Sequence, residues 1–504
     1  MAESDPVATR TSEHARSLGT ATGRESSAVS SSSRHVVVLL VLCCLVVFAA
    51  HFRPWEVAYL EEWPLARDWD TLGPLGFAAN YLHWTLSRPL HLIPTMLGLA
   101  LGNGWPGMIF LVLAAVAVLQ LLAVVWALRP VSRSAWLNIA VGMFLALHPL
   151  WPAGYLQRFL PAQTAALGLA FALGMLIRWL VNGRITWLIG GWVTLLAGLA
   201  TYPGPALVAP LASLVLALAI PASWRRRMVT VVTVTAASAL MTFYSLVVTK
   251  FISPDAPSYE LGNIQHSAVS SVKQLVVLVG GTLRRDGSVV ILGIAIVVLL
   301  AAILVLAAAI PRWSGALIAV AAIASPATTV VFFGNTGWLS DIDRISYVIS
   351  LALVPPLMVW PLNRKESRPR LQGALAALLV ALSGIGGLFG VLHWQPYIAA
   401  QHKLLTALGP IVREAGKDEI VSVVDRSGTL GFFPSFPEQY LGPASVVWNS
   451  DNTPVWLCFD ASSALPSGAS VCESKDTGTT LRLAGSVQLG KGTADIYIGK
   501  REKE

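Results

Sequence analysis

The sequence has few charged residues and few cysteines for its length. Charged residues make up 12% of the 504 residues and hydrophobic residues 55%, a composition too apolar for a water-soluble chain of this size. The four cysteines form no Cys-x-x-Cys pattern and no cluster with histidine, which argues against a zinc or iron–sulfur site. We therefore expect the membrane to be the solvent for most of the chain.

The net charge of +8 does not indicate a nucleic-acid partner. The arginines stand between apolar runs rather than along one face, as in membrane proteins, whose cytoplasmic loops are rich in Arg and Lys. With the spans given below, the following basic clusters share one side, which we assign to the cytoplasm: Arg129 and Arg133, Arg178 and Arg184, Arg225–Arg227, Arg312, and Arg364–Arg370.

The first 34 residues are rich in Ser, Thr, Ala and Arg, with almost no large apolar side chains. Such a stretch cannot bury enough surface to offset the entropy lost on ordering, so residues 1–34 are predicted to be a disordered cytoplasmic tail. The apolar run 36–52 lacks a small-residue cleavage site before charged and aromatic residues resume. This favours a retained signal anchor over a cleaved signal peptide.

Apolar runs close to the ~20 residues needed to cross a bilayer predict about eleven membrane helices within residues 35–394. They lie at about 36–52, 105–128, 135–150, 163–181, 186–201, 204–221, 228–249, 289–310, 313–333, 346–362 and 371–394. Two further apolar stretches, Pro89–Leu101 and Val269–Leu283, are predicted to be interfacial or re-entrant helices on the outer face. The expected fold is an α-helical polytopic protein of the inner (plasma) membrane, with its N-terminus in the cytoplasm.

Residues 395–504 differ in composition from the rest and, after an odd number of spans, are expected outside. Gly/Pro/Ser turns separate short strand-like runs at Ile420–Val424, Ser445–Trp448, Val455–Phe459 and Ala494–Ile498. This pattern predicts a small extracytoplasmic α/β or mostly β domain. Cys458 and Cys472 lie in it, and an oxidising compartment favours a disulfide between them.

Charged and aromatic residues are concentrated in the first outer loop, residues 53–104. Hardly any ionisable residue lies within the predicted spans. An ion-coupled transporter generally needs such residues on its path. The loop contains Glu56, Glu61, Glu62, Asp68 and Asp70, Trp55, Trp63, Trp69 and Trp84, and Ser87-Arg88-Pro89-Leu90. A carboxylate pair at the mouth of a membrane cavity suits removal of a proton from an acceptor hydroxyl, and outward arginines suit a lipid-linked phosphate leaving group. Each residue singly also fits a structural role, as a snorkelling charge or an interfacial aromatic.

The order of these motifs resembles the GT-C type of polytopic membrane glycosyltransferases, and within it the protein O-mannosyltransferase-like branch, which uses polyprenyl-phosphate sugars. The resemblance covers roughly residues 36–362 and rests on Glu61-Glu62, Arg88-Pro89-Leu90, His148-Pro149, Gln157-Arg158, and Asp343-Arg344 with Tyr347. Two features differ. The acidic pair is Glu-Glu where the family more often has an Asp, and Thr201-Tyr202-Pro203-Gly204 stands where the family has a Ser-Lys-Glu element.

The resemblance implies an inverting transfer of a hexose or pentose from a polyprenyl-phosphate donor to an extracytoplasmic glycolipid, cell-envelope polysaccharide or protein. Glu61 is then the general base, and Glu62 orients it or contacts the acceptor. Arg158 and Arg344 neutralise the departing phosphate, and Arg88 braces the loop. Supporting residues are Asp341, Asp343, Tyr347, Asp68 and Asp70.

Other interpretations stay open at this point. Asp68 and Asp70 form an Asp-x-Asp pattern that could instead bind a divalent ion, although no cofactor is required by the resemblance and no metal ligand is assigned. A transporter or flippase of lipid-linked glycans would share the topology. A non-catalytic envelope assembly protein, working through its outer domain, would tolerate loss of Glu61 and Glu62 together.

Overall fold

The computed structural model describes the chain in separate stretches. These are residues 22–82, 85–132, 134–206, 208–245, 249–252, 342–359, 369–415, 419–427, 429, 437–449, 455–459 and 482–500. The chain divides into two units, Met1–Val46 and Val47–Glu504. The candidate site lies in the second unit.

Most of the longer described helices follow apolar runs of the sequence. The longer helices are α1 (Thr22–His51), α2 (Glu62–Leu82), α3 (Ile93–Leu101), α4 (Ile109–Leu128), α5 (Ala135–Leu147), α6 (Leu160–Asn182), α7 (Ile185–Thr201), α8 (Val208–Ala219), α9 (Trp224–Phe243), α10 (Ile342–Val359), α11 (Pro369–His393), α12 (Gln395–Glu414) and α13 (Pro437–Asn449). Short 3-10 turns at Pro54–Glu56, Pro106–Met108, Pro152–Tyr155, Gln157–Phe159 and Gly204–Ala206 join several of them.

Within the described stretches, four helical segments are long and apolar enough to cross a membrane. They are Arg34–Glu56, Pro106–Leu128, Gln157–Asn182 and Ala376–Glu414, and shorter apolar helices include Ala135–Leu147 and Ile185–Thr201. Length and composition therefore make the chain a multi-pass helical membrane protein, as the sequence predicts. The predicted number of spans is not confirmed, because the runs 289–310 and 313–333 lie outside the described residues.

Two predicted boundaries differ from the structure. Helix α1 begins at Thr22, inside the stretch 1–34 predicted as a disordered tail, because each residue added to an existing helix gains a backbone hydrogen bond at little further cost. The stretch Pro89–Leu101 is helical from Ile93 only, and the nine residues of α3 are too short to span a bilayer. The other predicted interfacial stretch, Val269–Leu283, lies outside the described residues.

Two arginines predicted to be cytoplasmic contact the C-terminal ends of neighbouring helices. The Arg178 guanidinium lies over the Trp126 ring at 3.5 Å and donates to the Trp126 carbonyl at 2.8 Å. Arg226 donates to the carbonyl of Leu180 near the end of α6 at 3.3 Å. Cations at these ends satisfy carbonyls that lack helical partners and interact favourably with the helix dipole.

Helix α11 packs closely on the segment that leads from α5 to α6. A Cβ atom added at Gly386 would lie 2.6 Å from the Pro149 Cα, and one added at Gly390 would lie 2.6 Å from the Tyr155 ring. Glycine at these two positions lets the α11 backbone approach the turn that carries Tyr155. That turn contributes directly to the candidate site described below.

The C-terminal segment contains a four-stranded sheet with the order β2-β1-β4-β3. Its strands are β1 (Glu419–Asp425), β2 (Val455–Phe459), β3 (Arg482–Leu489) and β4 (Gly492–Lys500). Strand β1 pairs parallel to β2 and antiparallel to β4, and β3 pairs antiparallel to β4. The segment is therefore of α/β type.

One of the predicted strands is wrong, and one observed strand has no counterpart among the predicted runs. Ser445–Trp448 lies inside helix α13, where Leu441, Ala444 and Ser445 are buried at helical rather than alternating spacing. A run of four residues is too short for periodicity to separate the two. Strand β3 was not among the predicted runs. Cys472 lies outside the described residues, so its disulfide with Cys458 stays a prediction.

A matched pair of glycine substitutions on α11 tests the close packing. We expect Gly386→Ala to destabilise the protein by about 1–3 kcal/mol, because the new methyl group overlaps Pro149. Gly384→Ala, two positions earlier and with nothing within 4 Å of the added atom, should be neutral or stabilise by about 0.5–1 kcal/mol. Thermal unfolding in detergent measures both, and equal unfolding temperatures for the two variants would contradict the packing.

Candidate active site

The loop between α1 and α2 begins with a buried ion pair. Arg53 Nη1 lies 2.9 Å from Glu56 Oε2, and the two side chains are only 3% and 1% exposed. Arg53 Nη2 donates to the Tyr155 carbonyl at 2.6 Å, and the Tyr59 hydroxyl donates to Glu56 Oε2 at 2.6 Å. Burying two charges is tolerated when they are paired and further hydrogen-bonded, as here.

The backbone of this loop adopts a strained conformation at Val57. Its φ of +61° lies in a region that a β-branched residue rarely enters. The Val57 amide donates to the Pro54 carbonyl at 3.2 Å, and the Val57 carbonyl accepts from Gln157 Nε2 at 2.9 Å. Such strain persists only where the surroundings over-determine the backbone, and it is common in functional sites.

Glu62, one half of the predicted acidic pair, is buried at the start of α2. Its carboxylate accepts hydrogen bonds from the backbone amides of Leu60 at 3.0 Å and Tyr59 at 3.3 Å. Burial raises the pKa of Glu62 to about 7, and the charge of Glu61 acts in the same direction, whereas the Leu60 amide and Arg158 oppose it. Glu62 therefore holds the preceding part of the loop through these two backbone hydrogen bonds.

Glu61, the other half, points outward and meets a residue from a distant motif. Its Oε1 lies 3.3 Å from Arg158 Nη2, and the side chains are 42% and 10% exposed, respectively. Arg158 lies in the turn Gln157–Phe159 before α6 and is held with its guanidinium 5.1 Å from the centre of the Phe159 ring. The structure thus brings together two residues that the sequence assigned to separate motifs.

A row of four buried aromatic rings extends from Arg158 to Arg88. We call it the aromatic row; its ring-to-ring distances are 5.2 Å for Phe159–Trp151, 4.6 Å for Trp151–Tyr347 and 5.6 Å for Tyr347–Tyr202. The Arg88 guanidinium lies 5.3 Å from the centre of the Tyr202 ring. Arg158, predicted to bind the donor phosphate, and Arg88, predicted to brace the loop, therefore lie at opposite ends of the aromatic row.

Tyr347 and Gly204 explain how the middle of the aromatic row is held. The Tyr347 hydroxyl donates to the Ala162 carbonyl at 2.8 Å, which anchors α10 on α6. A Cβ atom at Gly204 would lie 2.7 Å from the Tyr347 ring and 2.9 Å from the Tyr202 ring. The stretch Thr201-Tyr202-Pro203-Gly204 thus contributes both a ring and the space that the rings need.

The Arg-Pro-Leu segment is docked on the end of α7. The Leu90 amide donates to the Ala200 carbonyl at 3.1 Å, and His91 Nδ1 lies 3.1 Å from the Thr201 carbonyl. Ser245, just beyond α9, donates its hydroxyl hydrogen to the Ser87 carbonyl at 2.9 Å. These contacts set the position from which Arg88 reaches Tyr202.

The Asp-x-Asp pair has structural contacts of its own. Asp68 Oδ1 accepts from Arg67 Nε and Nη2 at 2.9 and 2.7 Å, and Asp68 Oδ2 accepts from the Tyr81 hydroxyl at 2.7 Å. Asp70 packs against Gly104, whose φ is +89°. Among the described residues, no group of three or more His, Cys, Asp or Glu could hold a metal ion.

Three other predicted site residues are described by the structure only in part or not at all. Asp341 lies outside the described residues, and the side chains of Asp343 and Arg344 do as well, although their backbone belongs to α10. Their assigned roles stay predictions.

Helix α12 supplies polar partners that sequence reasoning missed. The contacts are Gln395 Nε2 to Glu56 Oε1 (2.6 Å), Tyr397 Oη to Tyr59 O (3.0 Å), Gln401 Nε2 to Tyr59 O (3.1 Å), and His402 Nε2 to Glu56 O (3.2 Å). The sequence shows Arg53 and Glu56 three residues apart just after the first span, which is a visible signal for their pairing. Nothing in the sequence indicates partners more than 300 residues away.

Comparison with known proteins finds similarity only among solved structures. No protein-family model and no curated protein matches the sequence. The chain is similar to ArnT from Cupriavidus metallidurans bound to undecaprenyl phosphate, with 13% identity and a TM-score of 0.45 over 92% of this chain and 97% of that one. The apo state of the same protein gives 14% identity and a TM-score of 0.46 over 93% and 98%.

The buried carboxyl of Glu62 should make stability depend on pH. Its pKa in the folded protein, about 7, exceeds the ordinary glutamate value of about 4.3, so the folded state holds the proton more tightly than the unfolded chain. The resulting stabilisation is fully present below about pH 4.3 and is lost as the pH rises through about 7. We expect the unfolding temperature of the wild type in detergent, taken relative to that of Glu62→Gln at the same pH, to fall between about pH 5 and about pH 8.

Glu414→Gln, at an exposed carboxyl at the end of α12, is the matched control and should follow the wild type. Parallel curves for the wild type and Glu62→Gln would show that Glu62 is ionised over the whole range, contrary to its burial.

Proposed function

We propose that the chain is a membrane glycosyltransferase of the GT-C type, which transfers a monosaccharide from a polyprenyl-phosphate donor to an extracytoplasmic acceptor. The observation that carries this proposal is the contact between Glu61 and Arg158 at 3.3 Å. It joins a candidate base to a candidate phosphate-binding cation. The two residues were assigned these roles from motifs that lie far apart in the sequence.

The proton transfer is assigned to Glu61. The acceptor oxygen attacks the anomeric carbon, the bond from that carbon to the phosphate oxygen breaks, and the acceptor proton passes to the Glu61 carboxylate. A single displacement inverts the anomeric configuration. Glu61 is 42% exposed, so an acceptor hydroxyl can reach it, whereas buried Glu62 braces the loop from within. A positioned carboxylate contributes ~10²–10⁴-fold to such a step.

The departing phosphate is assigned to Arg158. Negative charge develops on the phosphate as its bond to the sugar breaks, and a fixed cation there lowers the barrier without having to reorganise. Arg158 is 10% exposed and held against Phe159, so its charge is largely immobile. Arg88, at the far end of the aromatic row, braces the loop, and Arg344 is assigned a second phosphate contact from the resemblance.

The depth of the loop also suits a lipid-linked donor. Glu61 follows the candidate span Arg34–Glu56 by a few residues, and the phosphate of a polyprenyl donor lies at the bilayer surface. The protein is accordingly assigned to the inner membrane, with the loop and the C-terminal segment on the outer side. The acceptor class is a glycolipid, a cell-envelope polysaccharide or a protein.

Replacement of Glu61 tests the catalytic base. Glu61→Gln preserves shape and hydrogen bonding but cannot accept the proton, so we expect turnover to fall at least ~100-fold while donor binding is largely retained. The assay is transfer of labelled sugar from a polyprenyl-phosphate donor in membranes that contain the wild type or the variant, with donor affinity measured separately on purified protein. Glu414→Gln is the matched control and should retain wild-type turnover.

Two outcomes would redirect the proposal. Near-normal turnover of Glu61→Gln together with loss of activity in Asp68→Asn or Asp70→Asn would move the chemistry to the Asp-x-Asp pair. If Glu61→Gln and Glu62→Gln combined fully restore the envelope of a deletion strain, the chain acts as an assembly protein rather than as an enzyme.

Replacement of Arg158 tests the phosphate site. We expect Arg158→Ala to lower turnover and also to weaken donor binding, because the cation that faces the phosphate is removed. Arg158→Lys keeps the charge without the planar fork and should recover part of both. Arg413→Ala, at an exposed position on α12, controls for loss of positive charge. Unchanged donor affinity in Arg158→Ala would show that Arg158 serves only to hold Glu61.

A further inference from the structure

The contacts of α12 with the loop between α1 and α2 converge on one peptide group. The Tyr59 carbonyl accepts hydrogen bonds from the Tyr397 hydroxyl at 3.0 Å and from Gln401 Nε2 at 3.1 Å. The amide hydrogen of the same peptide group, which belongs to Leu60, is donated to Glu62 Oε2 at 3.0 Å. Helix α12 and Glu62 therefore hold opposite ends of a single planar unit.

The geometry of the peptide bond couples these two ends. The group is planar and trans, so its C=O and N–H bonds point in nearly opposite directions. Two donors on the carbonyl fix the direction in which the amide hydrogen points. Hydrogen bonds in such a chain also polarise one another. Loss of the donors on α12 would leave the Leu60 amide free to turn away from Glu62.

The two donors are themselves firmly placed. Tyr397 and Gln401 are 3% and 1% exposed and lie four residues apart, so they share one face of α12. The Tyr397 ring stacks on the Tyr59 ring with centroids 6.3 Å apart and planes inclined by 11°. Gln395, from the first turn of the same helix, binds Glu56. Helix α12 thus contacts the loop on both sides of Val57.

We propose that Tyr397 and Gln401 are positioning residues for the transfer reaction: through the Tyr59–Leu60 peptide group they hold Glu62 and thereby place Glu61 against Arg158. This inference rests on the proposed glycosyl transfer. Helix α12, at the start of the C-terminal segment, would then help to position the catalytic residues. Both side chains are buried and donate to the loop backbone, so their loss should affect turnover rather than donor binding.

The test uses Tyr397→Phe and Gln401→Leu, singly and combined, in the full-length protein. Each removes one donor while retaining most of the side-chain volume. A displacement of a catalytic group of about 1 Å can cost ~10²-fold, so we expect turnover of the double variant to fall about 10- to 100-fold, with donor affinity within about twofold of the wild type. Tyr497→Phe and Gln488→Leu, in the β-sheet, delete the same groups and should retain wild-type turnover.

A second readout does not depend on activity. Infrared difference spectra report the carboxyl band of Glu62, identified by its absence in Glu62→Gln, as a function of pH. The Leu60 amide lowers the pKa of Glu62, so we expect the midpoint of this band to move to higher pH in Tyr397→Phe and Gln401→Leu. It should stay in place in Tyr497→Phe and Gln488→Leu.

The two readouts separate the two ideas. If the wild type transfers sugar but the double variant keeps both its turnover and its Glu62 midpoint, the positioning role is wrong and the proposed function stands. If the midpoint moves but the wild type transfers no sugar from any polyprenyl-phosphate donor, the proposed function is wrong and α12 only holds the loop. A fall in turnover matched by loss of folded protein, with an unchanged midpoint, would also overturn the positioning role.

Discussion

The buried pair of Arg53 and Glu56 is the constraint on which the rest of the site depends. Two charges have been withdrawn from solvent at the end of the first apolar helix, and each must find enough partners to offset its desolvation. Arg53 finds the Tyr155 carbonyl, and Glu56 finds the Tyr59 hydroxyl and Gln395. Losing one member of such a pair typically costs about 3–5 kcal/mol, so the segments that supply these partners are tied to the loop.

This pair fixes the backbone course of the loop that follows it. The chain passes Val57 in a conformation that its side chain disfavours and then turns so that Glu62 lies inside and Glu61 outside. The same two residues would be equivalent carboxylates in an unfolded chain. Burial of one and exposure of the other separate their chemistry, which suits one carboxyl for holding the loop and the other for accepting a proton.

Part of this could be predicted from the sequence. Apolar runs identified most described membrane helices, and the resemblance carried by the acidic pair, Arg88, Arg158 and Tyr347 assigned these residues to one candidate site. Local patterns failed where packing decides. Ser445–Trp448 reads as a strand but is helical because its neighbours bury one helical face. The two residues of the Asp-x-Asp pattern read alike as possible ligands, yet Asp68 is bound by Arg67 and Tyr81.

The sequence by itself determined the solvent of this protein, its helical class and the residue types available for chemistry, because hydrophobicity and charge are properties of the chain that survive unfolding. Only the tertiary structure decided which carboxylate is exposed, which arginine faces it, and that α12 holds the peptide group behind Glu62. These depend on contacts between residues separated by about 100 to more than 300 positions. Such contacts exist only once the helices pack, since no local pattern encodes the distance between their side chains.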